Sequence, residues 1–557
     1  MLKNRDSKFK AWWQSGSPWI WLNAGAVSAS IIVVFGLLLL IGMRGMGHFW
    51  PADIEQIEYQ GASGVIRVIG ERINQETVSR IRYEESGGKP PPGAQEVTRW
   101  LIKTGNRDLL GTDFRWLDAH NVQRVEIPDA LVVVERVEWG NFYGYLHSVS
   151  EQQQVVTDNK NAMSELAARL DRVRDLRGDI HDLEKGELGS INYRLERLRL
   201  HRKKLALEAR DTAANLDEIK QEEQALDVKY QGVRKKLATL LTQINRDSAK
   251  FEIMDGRQVE ISLANIMSVL QPNTMTVFDK LSQYAHNFKN FILEDPREAN
   301  TEGGVFPAIF GTVMMVILMA ILVTPMGVIA ALYLSEYAKQ GTLIQIIRIA
   351  VNNLAGVPSI VYGVFGLGFF VYFLGGNIDQ LFFPESAPAP VFGTPGLLWA
   401  SLTLSLLTLP VVIVSTEEGL ARIPKALREG SLALGATKFE TIWKVVLPMA
   451  SPAIMTGLIL AIARAAGEVA PLMLVGVVKL AAELPVDENF PFMHVERKFM
   501  HLGFHIYDVG FQSPNVEAAR PLVYATAFLL VLVIVILNLS AILLRNRLRE
   551  KFKAFEH

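Results

Sequence analysis

The chain alternates between long apolar runs and long polar stretches, which predicts a membrane protein with one large insertion. A first apolar run covers 20–43, and no further run of membrane length occurs until about Val305. Five more spans are then predicted, at 305–333, 346–374, 396–416, 450–478 and 521–544. Each exceeds the roughly 20 residues that a helix needs to cross the hydrocarbon core. The pattern therefore predicts an α-helical membrane protein with about six transmembrane helices.

The polar insertion begins and ends with strand-like sequence. Residues 52–147 contain short apolar runs with alternation, and 251–262 contains two such runs around Asp255-Gly256. Asp-Gly between apolar runs is a strong hairpin signal. We therefore expect a β-rich base in an extracytoplasmic α+β domain.

Between these strands, 149–250 is charged, free of proline and helical in period. Apolar residues repeat every three or four positions in one regular seam and one less regular seam. The regular seam is Leu226, Tyr230, Val233, Leu237, Leu240 and Ile244, and the other is Leu166, Leu170, Val173, Leu176, Ile180 and Leu183. Gly186 and Gly189 break the pattern between them. This predicts an antiparallel coiled-coil hairpin projecting from the base, as a docking arm, a spacer or a self-packed stalk.

Basic residues predict the orientation of the spans. Four precede the first span, five lie in the 417–449 loop and five lie in the tail, whereas 375–395 has no Lys or Arg. These residues are Lys3, Arg5, Lys8 and Lys10; Arg422, Lys425, Arg428, Lys438 and Lys444; and Arg545, Arg547, Arg549, Lys551 and Lys553. Since basic loops stay inside, both termini are expected in the cytoplasm of a bacterium with a multi-pass inner-membrane protein, although 479–520 is mixed. A cleaved signal peptide is the alternative for the first span, but its apolar region is only about 7–15 residues long.

These patterns predict five consecutive segments. They are a cytoplasmic segment at 1–19, an anchor helix at 20–43, a periplasmic domain at 44–300, a permease domain at 301–545 with a cytoplasmic loop at 417–449, and a cytoplasmic tail at 546–557.

Composition narrows the functional classes. The chain is 49% hydrophobic with a net charge of −1, which gives no indication of nucleic-acid binding, and it has no cysteine for thiolate metal sites. It lacks the Gly-rich loop with Lys that holds nucleotide phosphates, and it has no convincing metal or Ser/His/Asp arrangement. We therefore expect that the chain is not an enzyme by itself.

The most informative motif lies in the 417–449 loop. It reads Glu429-Gly430-Ser431-Leu432-Ala433-Leu434-Gly435-Ala436, and Leu447-Pro448 leads back to the membrane. Glu429, Gly430 and Ala433 would share a narrow helical face, and Gly435 can adopt a turn that a residue with Cβ resists. The motif resembles the coupling loop of ABC-importer permeases, which docks into a cleft on a cytoplasmic ATPase. In that family the second and third positions are usually Ala, whereas here they are Gly430 and Ser431.

Four further motifs resemble those of phosphate-importer permeases. They are Glu302-Gly303-Gly304-Val305-Phe306-Pro307, Leu334-Ser335-Glu336-Tyr337, Asn353-Leu354-Ala355-Gly356-Val357-Pro358-Ser359-Ile360-Val361-Tyr362-Gly363 and Gly467-Glu468-Val469-Ala470-Pro471-Leu472. Together they resemble the PstA-type subunit over about 300–545, in its long form with a large outer insertion.

This resemblance implies a type I ABC-importer permease core that transports inorganic phosphate by alternating access. It implies four kinds of partner: a second, PstC-like permease subunit, two PstB-like ATP-binding subunits, a periplasmic PstS-like binding protein and the lipid bilayer. ATP would be bound by the partners, so no cofactor is expected on this chain. The role of the insertion is not supplied by the resemblance.

Arg464 and Glu468 are the candidate transport residues. They lie four apart inside a predicted span, and hence on one helix face. Ionisable groups at such depth are costly and usually face a cavity or a partner. Arg464 would offer a planar guanidinium to an oxyanion while Glu468 pairs with it and orients it. The alternative is an ion pair that only fixes helix packing.

Two other functions stay open from the sequence. One arginine and one glutamate do not distinguish phosphate from sulfate, molybdate or tungstate, so the cargo depends on the resemblance. An anchor, an outer domain and a helical arm also suit a membrane-anchored periplasmic sensor or linker. A sensor would be expected to end in a cytoplasmic signalling domain, whereas this chain ends soon after its last predicted span.

Overall fold

The computed structural model describes residues 12–61, 64–152, 154–158, 161–339, 341–513 and 516–552. The basic residues expected before the first span, Lys3 to Lys10, and Lys553 of the tail lie outside the described residues.

The insertion domain, residues 50–305, contains eleven main strands. They are β1 (Ile54–Gly61), β2 (Gly64–Ser79), β3 (Glu96–Lys103), β4 (Phe114–Asp118), β5 (Val122–Glu126), β6 (Leu131–Arg136), β7 (Phe142–Glu151), β8 (Gln154–Asp158), β9 (Asp247–Glu252), β10 (Gln258–Ser262) and β11 (Ile266–Leu270). They form two antiparallel sheets, one in the order β4-β3-β2-β1-β5 and the other in the order β10-β9-β7-β6-β11, with β8 beside β7. The second sheet therefore joins sequence from both sides of the helical stretch.

From Ser17 onwards, the described residues of the first half form seven α-helices. They are α1 (Ser17–Met46), α2 (Arg80–Glu85), α3 (Arg107–Leu110), α4 (Ala162–His181), α5 (Gly189–Leu207), α6 (Ala213–Ile244) and α7 (Val277–Leu293). A π-helical segment, Asp182–Leu188, joins α4 to α5 without a break. The hairpin turn therefore lies between α5 and α6, and the expectation that Gly186 and Gly189 interrupt the helix is wrong. A Cβ at Gly186 would meet nothing within 4 Å, so no tertiary contact forces a turn there.

The two apolar seams meet near the sheet, where Ile244 of the regular seam lies in one cluster with residues of the other seam. Leu166, Leu170 and Val173 of α4 pack on the second sheet in the same cluster as Phe251. At the far end of the hairpin, Leu205 of α5 packs with Ile219 of α6. The base of the hairpin is consequently part of the domain core, and the arm proper consists of α5 and the part of α6 that faces it.

The arm does not project away from the protein. The Lys185 ammonium lies 2.7 Å from Asp295 Oδ2, just before the second span. Further along, the Tyr193 hydroxyl donates to the Phe490 carbonyl at 2.6 Å, and Lys203 donates to the Ala387 carbonyl. From Lys185 to Lys203 the helix covers about 27 Å. The arm thus lies across the loops of the membrane core instead of forming a free stalk.

Eleven helices build the core. They are α8 (Phe306–Leu332), α9 (Thr342–Leu354), α10 (Ser359–Phe365), α11 (Gly376–Phe382), α12 (Leu397–Ala421), α13 (Lys425–Ala433), α14 (Lys438–Thr441), α15 (Leu447–Gly467), α16 (Leu472–Val475), α17 (Leu502–Tyr507) and α18 (Val516–Phe552). Joined through π-helical segments, they contribute five of six helices long and apolar enough to cross a membrane in the described chain. These six are Ser17–Phe49, Phe306–Tyr337, Ser359–Phe382, Leu397–Ala421, Lys438–Gly467 and Ala519–Arg547.

Two predicted spans have the wrong bounds. The predicted span 346–374 contains a break between α9 and α10, where Pro358 takes an extended ψ of 135° and precedes the helix. The predicted span 450–478 ends at Gly467, and Glu468 is already extended with ψ 136°. Glu468 therefore lies just outside the helix that contains Arg464. The expectation that both residues lie on one helix face is wrong.

The span α12 lies at the centre of the core. Small residues allow its backbone to approach both neighbours: Gly327 of α8 lies against Val412, Gly419 lies against Ala453, and Gly457 of α15 lies against Ser415. Such small residues are the usual means of helix packing in a membrane, where hydrophobicity does not drive association. They fix the antiparallel register of α12 and α15.

The first span packs mainly against the last. A Cβ on Gly45 would lie 2.8 Å from the backbone of Ala525, and the Arg44 guanidinium donates to the Tyr524 hydroxyl at 3.2 Å. The remainder of α1 is exposed, apart from a few partly buried positions near its ends. The end of this span, around Gly42 and Gly45, therefore attaches it to the core.

We expect Gly45→Ile to separate the first and last spans, because its Cβ would collide with backbone that cannot yield without movement. Overpacking of this kind costs about 1–3 kcal/mol. The thermal unfolding midpoint of the purified chain in detergent should fall. Gly36→Ile is the matched control, since a Cβ at Gly36 meets nothing within 4 Å. Equal midpoints for the two variants would show that this contact does not hold the first span.

Candidate functional site

Arg464 lies near the middle of the membrane core. Because Gly457 lies against Ser415 and Gly419 against Ala453, the antiparallel register places Arg464 level with Thr408, one residue from the centre of α12. Its Nε is 3.7 Å from Glu468 Oε1, and the two side chains are 32% and 21% exposed. The pair is therefore partly buried, and one side of it is open at the surface of the described chain.

Broken helices surround this ion pair. After α15 ends, Pro471 packs against Gly363 in α10, with their backbones too close to admit a Cβ. The Tyr362 hydroxyl donates to the Leu354 carbonyl at 2.7 Å, across the break between α9 and α10. Tyr362 is also near enough to Arg464 to interact electrostatically. Interrupted helices at mid-depth expose polar backbone only where it lines a cavity or is buried in protein.

This arrangement suits an anion better than a cation. The guanidinium carries a permanent charge and donates from a planar fork. The amino end of the helix that starts at Ser359 and contains Tyr362 adds a partial positive charge. Gly467 beside the pair is exposed, and a Cβ there would meet nothing, so the approach to the pair is open. Among the described residues, no cluster of His, Cys, Asp or Glu could hold a metal.

The second candidate site is the loop between α12 and α15. Pro424 precedes α13, and Gly435 then adopts a left-handed φ of +87°. This turn is closed by bonds from the Gly435 amide to the Leu432 carbonyl at 3.0 Å and from the Ala436 amide to Ser431 at 3.2 Å. Thr437 caps α14 in a reciprocal arrangement with Glu440. The structure is thus two short helices joined by a glycine turn.

The predicted contact residues lie on the exposed side of this loop. Glu429, Gly430, Ala433 and Gly435 are all exposed. The loop also exposes apolar side chains that sequence reasoning did not single out: Leu434 is 91% exposed, and the rings of Phe439 and Trp443 are stacked 6.2 Å apart. Apolar side chains held on a protruding, charged loop are typical of a surface that a partner covers.

A brace that the sequence analysis also missed holds the loop to the core. Arg428 donates to the carbonyls of Ile423 and Leu420 at 2.8 Å and lies 3.0 Å from Glu336 Oε1. Lys438 donates to the Glu336 carbonyl. Glu336 lies near the end of the second span, so this residue joins that span to both short helices of the loop. The only sequence signal was that Glu336 falls in a motif resembling permeases.

The structure keeps the two candidate sites apart. Arg464 is seventeen residues along the helix from Leu447, the start of α15, which corresponds to about 26 Å. Glu429, Gly430, Ala433 and Gly435 come together in the loop, and Arg464 and Glu468 come together at mid-depth. The helix α15 is the direct covalent connection between them.

The family match lies in the membrane core. A family model described as "Binding-protein-dependent transport system inner membrane component" matches residues 323–552. Phosphate transport system permease protein PstA of Mycobacterium leprae is 36% identical over 217 residues, covering 39% of this chain and 64% of that protein. The probable ABC transporter permease protein YqgH of Bacillus subtilis is 35% identical, covering 35% of this chain and 59% of that protein.

A third relative is covered more fully. Phosphate transport system permease protein PstA 1 of Mycobacterium tuberculosis (strain ATCC 25618 / H37Rv) is 35% identical over 244 residues, covering 44% of this chain and 70% of that protein. The chain spans slightly less than two thirds of the first two relatives. The six apolar helices and the family match describe a multi-pass membrane permease core of the inner membrane.

We expect Gly435→Ala to loosen the loop, because a left-handed φ costs a residue with Cβ about 1–2 kcal/mol. Hydrogen–deuterium exchange of the purified chain should become faster for the amides of 431–441. Gly430→Ala is the matched control, since Gly430 is helical and a Cβ there meets nothing within 4 Å. Unchanged exchange in Gly435→Ala would contradict the idea that this glycine maintains the turn.

Proposed function

Because the chain belongs to the PstA-type family of phosphate permease subunits, we propose that it forms half of the translocation pathway of an ATP-driven inorganic phosphate importer. The observation that supports this most directly is the Arg464–Glu468 pair, held at mid-depth beside two interrupted helices. An anion that crosses a membrane needs a compensating cation at this depth, and the half-open guanidinium supplies one.

In this proposal Glu468 keeps Arg464 oriented while the site is empty. An unpaired guanidinium at mid-depth would be costly, and a carboxylate nearby offsets that cost. An arriving phosphate would take over the guanidinium through two parallel hydrogen bonds, which Glu468 cannot do at 3.7 Å. Exchange of one anionic partner for another lets the ion bind and leave without a large change in charge.

The loop at 424–448 would transmit force from ATP-binding partner subunits. Leu434, Phe439 and Trp443 would enter a cleft on the ATPase, while Glu429, Gly430 and Ala433 permit close approach. Arg428 and Glu336 would pass the movement of the loop to the second and fourth spans. The chain itself shows no nucleotide-binding motif, so ATP would be hydrolysed entirely by the partners.

This assignment implies a second permease subunit, two ATP-binding subunits and a soluble phosphate-binding protein. Both termini and the 424–448 loop would face the cytoplasm, and the insertion domain would lie in the periplasm. Alternating access would open the Arg464 region first to the periplasm and then to the cytoplasm. Basic residues on the loop side of the core agree with this orientation.

The function is tested by uptake of labelled phosphate in starved cells that lack this chain and carry either the native sequence or Gly435→Arg. We expect the native chain to restore uptake that excess sulfate or molybdate does not reduce, and Gly435→Arg to abolish it. Competition by another oxyanion would reassign the cargo. Absence of any restored uptake, with the chain present in the membrane, would favour a sensing or linking role.

We expect Arg464→Gln to lower phosphate uptake by about tenfold to a hundredfold, the size of a lost charge-assisted hydrogen bond. Arg547→Gln, on the exposed end of the last span, is the matched control. The double variant Arg464→Gln/Glu468→Gln separates the two roles of the pair. If the pair only fixes packing, removing both charges together should recover uptake; in the pathway role, uptake stays low.

A further inference from the structure

One flank of the arm helix α5 carries a row of basic side chains. The helix contains six Lys or Arg residues and one Glu. Arg194, Arg197, His201 and Lys204 follow each other at spacings of three, four and three, so they share one face. All four are exposed. The row is about 15 Å long.

Two charges of this row are not neutralised by ion pairs among the described residues. Arg194 pairs with Glu222 of α6 at 2.6 Å. Within the part of the chain that the structure describes, neither Arg197 nor Lys204 forms an ion pair. On other faces of the same helix the pattern differs, since Arg199 pairs with Glu196 at 2.6 Å. Arg197 and Lys204 therefore carry unpaired charge on this flank, whereas Lys203 on another face donates to the Ala387 carbonyl.

The row is held in a fixed place over the membrane core. Tyr193 and Lys203, which are the sequence neighbours of Arg194 and Lys204, bind the carbonyls of Phe490 and Ala387 in two different loops of the core. The first of these loops follows the unwound end of the fifth span, and the second joins the third and fourth spans. The row thus lies beside the loops that surround the pathway on the side of the insertion domain.

The loop that receives Tyr193 is itself rigid. The ring of His494 packs edge-on against Tyr193 at 5.8 Å, and its nitrogens lie 3.1 Å from Asp487 and from Glu496. Arg497 pairs with Asp487 at 2.7 Å. Burial alone would raise the pKa of Asp487, but hydrogen bonds from the Asn489 backbone and from Arg497 lower this pKa. This network keeps the loop in position for the arm.

The shape of the row determines what it can recognise. A small oxyanion needs donors that converge on one point, whereas these side chains stand in line on a convex helix. Charges spread over about 15 Å match acidic groups that are spread over a similar length, as on the surface of a protein. Basic side chains at the rim of an interface act mainly by steering the approach of an oppositely charged partner.

We propose that the row Arg194, Arg197, His201 and Lys204 is the docking surface for an acidic face of the soluble protein that delivers the anion to the core. This inference rests on the proposed function, because it assigns that delivery protein to this surface. Docking on α5 places the partner next to both core loops that the arm contacts, so the partner would be seated over the mouth of the pathway.

The test uses the full transporter, purified with its partner subunits and placed in proteoliposomes, with its own soluble phosphate-binding protein added in increasing concentration. We expect Arg197→Gln/Lys204→Gln to raise the concentration of binding protein needed for half-maximal phosphate uptake by about threefold to tenfold at low salt. The difference should shrink as salt shortens the Debye length from about 30 Å to 8 Å.

Lys229→Gln/Lys236→Gln is the matched control. It also removes two exposed charges that are seven residues apart, but these charges lie on the other helix of the hairpin, α6. If this control and the α5 variant both behave as the wild type, the proposal is overturned. A defect that requires anionic phospholipid in the proteoliposomes would overturn it in favour of a lipid surface. Failure of the wild type to transport phosphate at all would instead reject the proposed function.

Discussion

The register between the fourth and fifth spans is the constraint on which the rest of the structure depends. Gly457 against Ser415 and Gly419 against Ala453 leave no room for the two helices to slide. This register places Arg464 at the centre of the core. It also sets how far the 424–448 loop, which joins the same two helices, extends beyond the end of the core. A bilayer supplies no hydrophobic force between helices, so close contact between small residues has to provide this precision.

Sequence reasoning located most of the elements, because segments that lie in lipid and segments that lie in water differ in their apolar pattern. Apolar length revealed six spans, and the seam from Leu226 to Ile244 consists of buried or half-buried positions in α6. The end of the fifth span could not be read in this way. Leu472 and Val475 are fully buried in the core, but they belong to the separate short helix α16, which follows the break at Glu468. Hydropathy reports burial, and it does not distinguish one continuing helix from two helices with a break between them.

The arm shows a second limit of sequence reasoning. The apolar seams identify the faces that the two helices of the hairpin pack against each other. The heptad pattern does not indicate which residues contact the other faces of these helices. Tyr193 and Lys203 interrupt no pattern, and they contact residues about two hundred to three hundred positions away. For the site, the motifs identified the loop and the ion pair, whereas the Arg428–Glu336 brace depends on the meeting of two distant segments. The arm is consequently joined to the core through Tyr193 and Lys203, and to the segment before the second span through Lys185.

The contact between the first and last spans has a consequence for how the protein is made. Arg44 and Tyr524 are 480 residues apart, so a ribosome working at about 5–20 residues per second needs roughly half a minute to a minute and a half to deliver the partner of the first span. During that interval the first span lacks the last span, against which it packs in the folded protein. It is the span with the least need of protein neighbours, since its central apolar stretch is exposed throughout. Arg464, by contrast, is synthesised soon after the central span that it faces, which ends at Ala421.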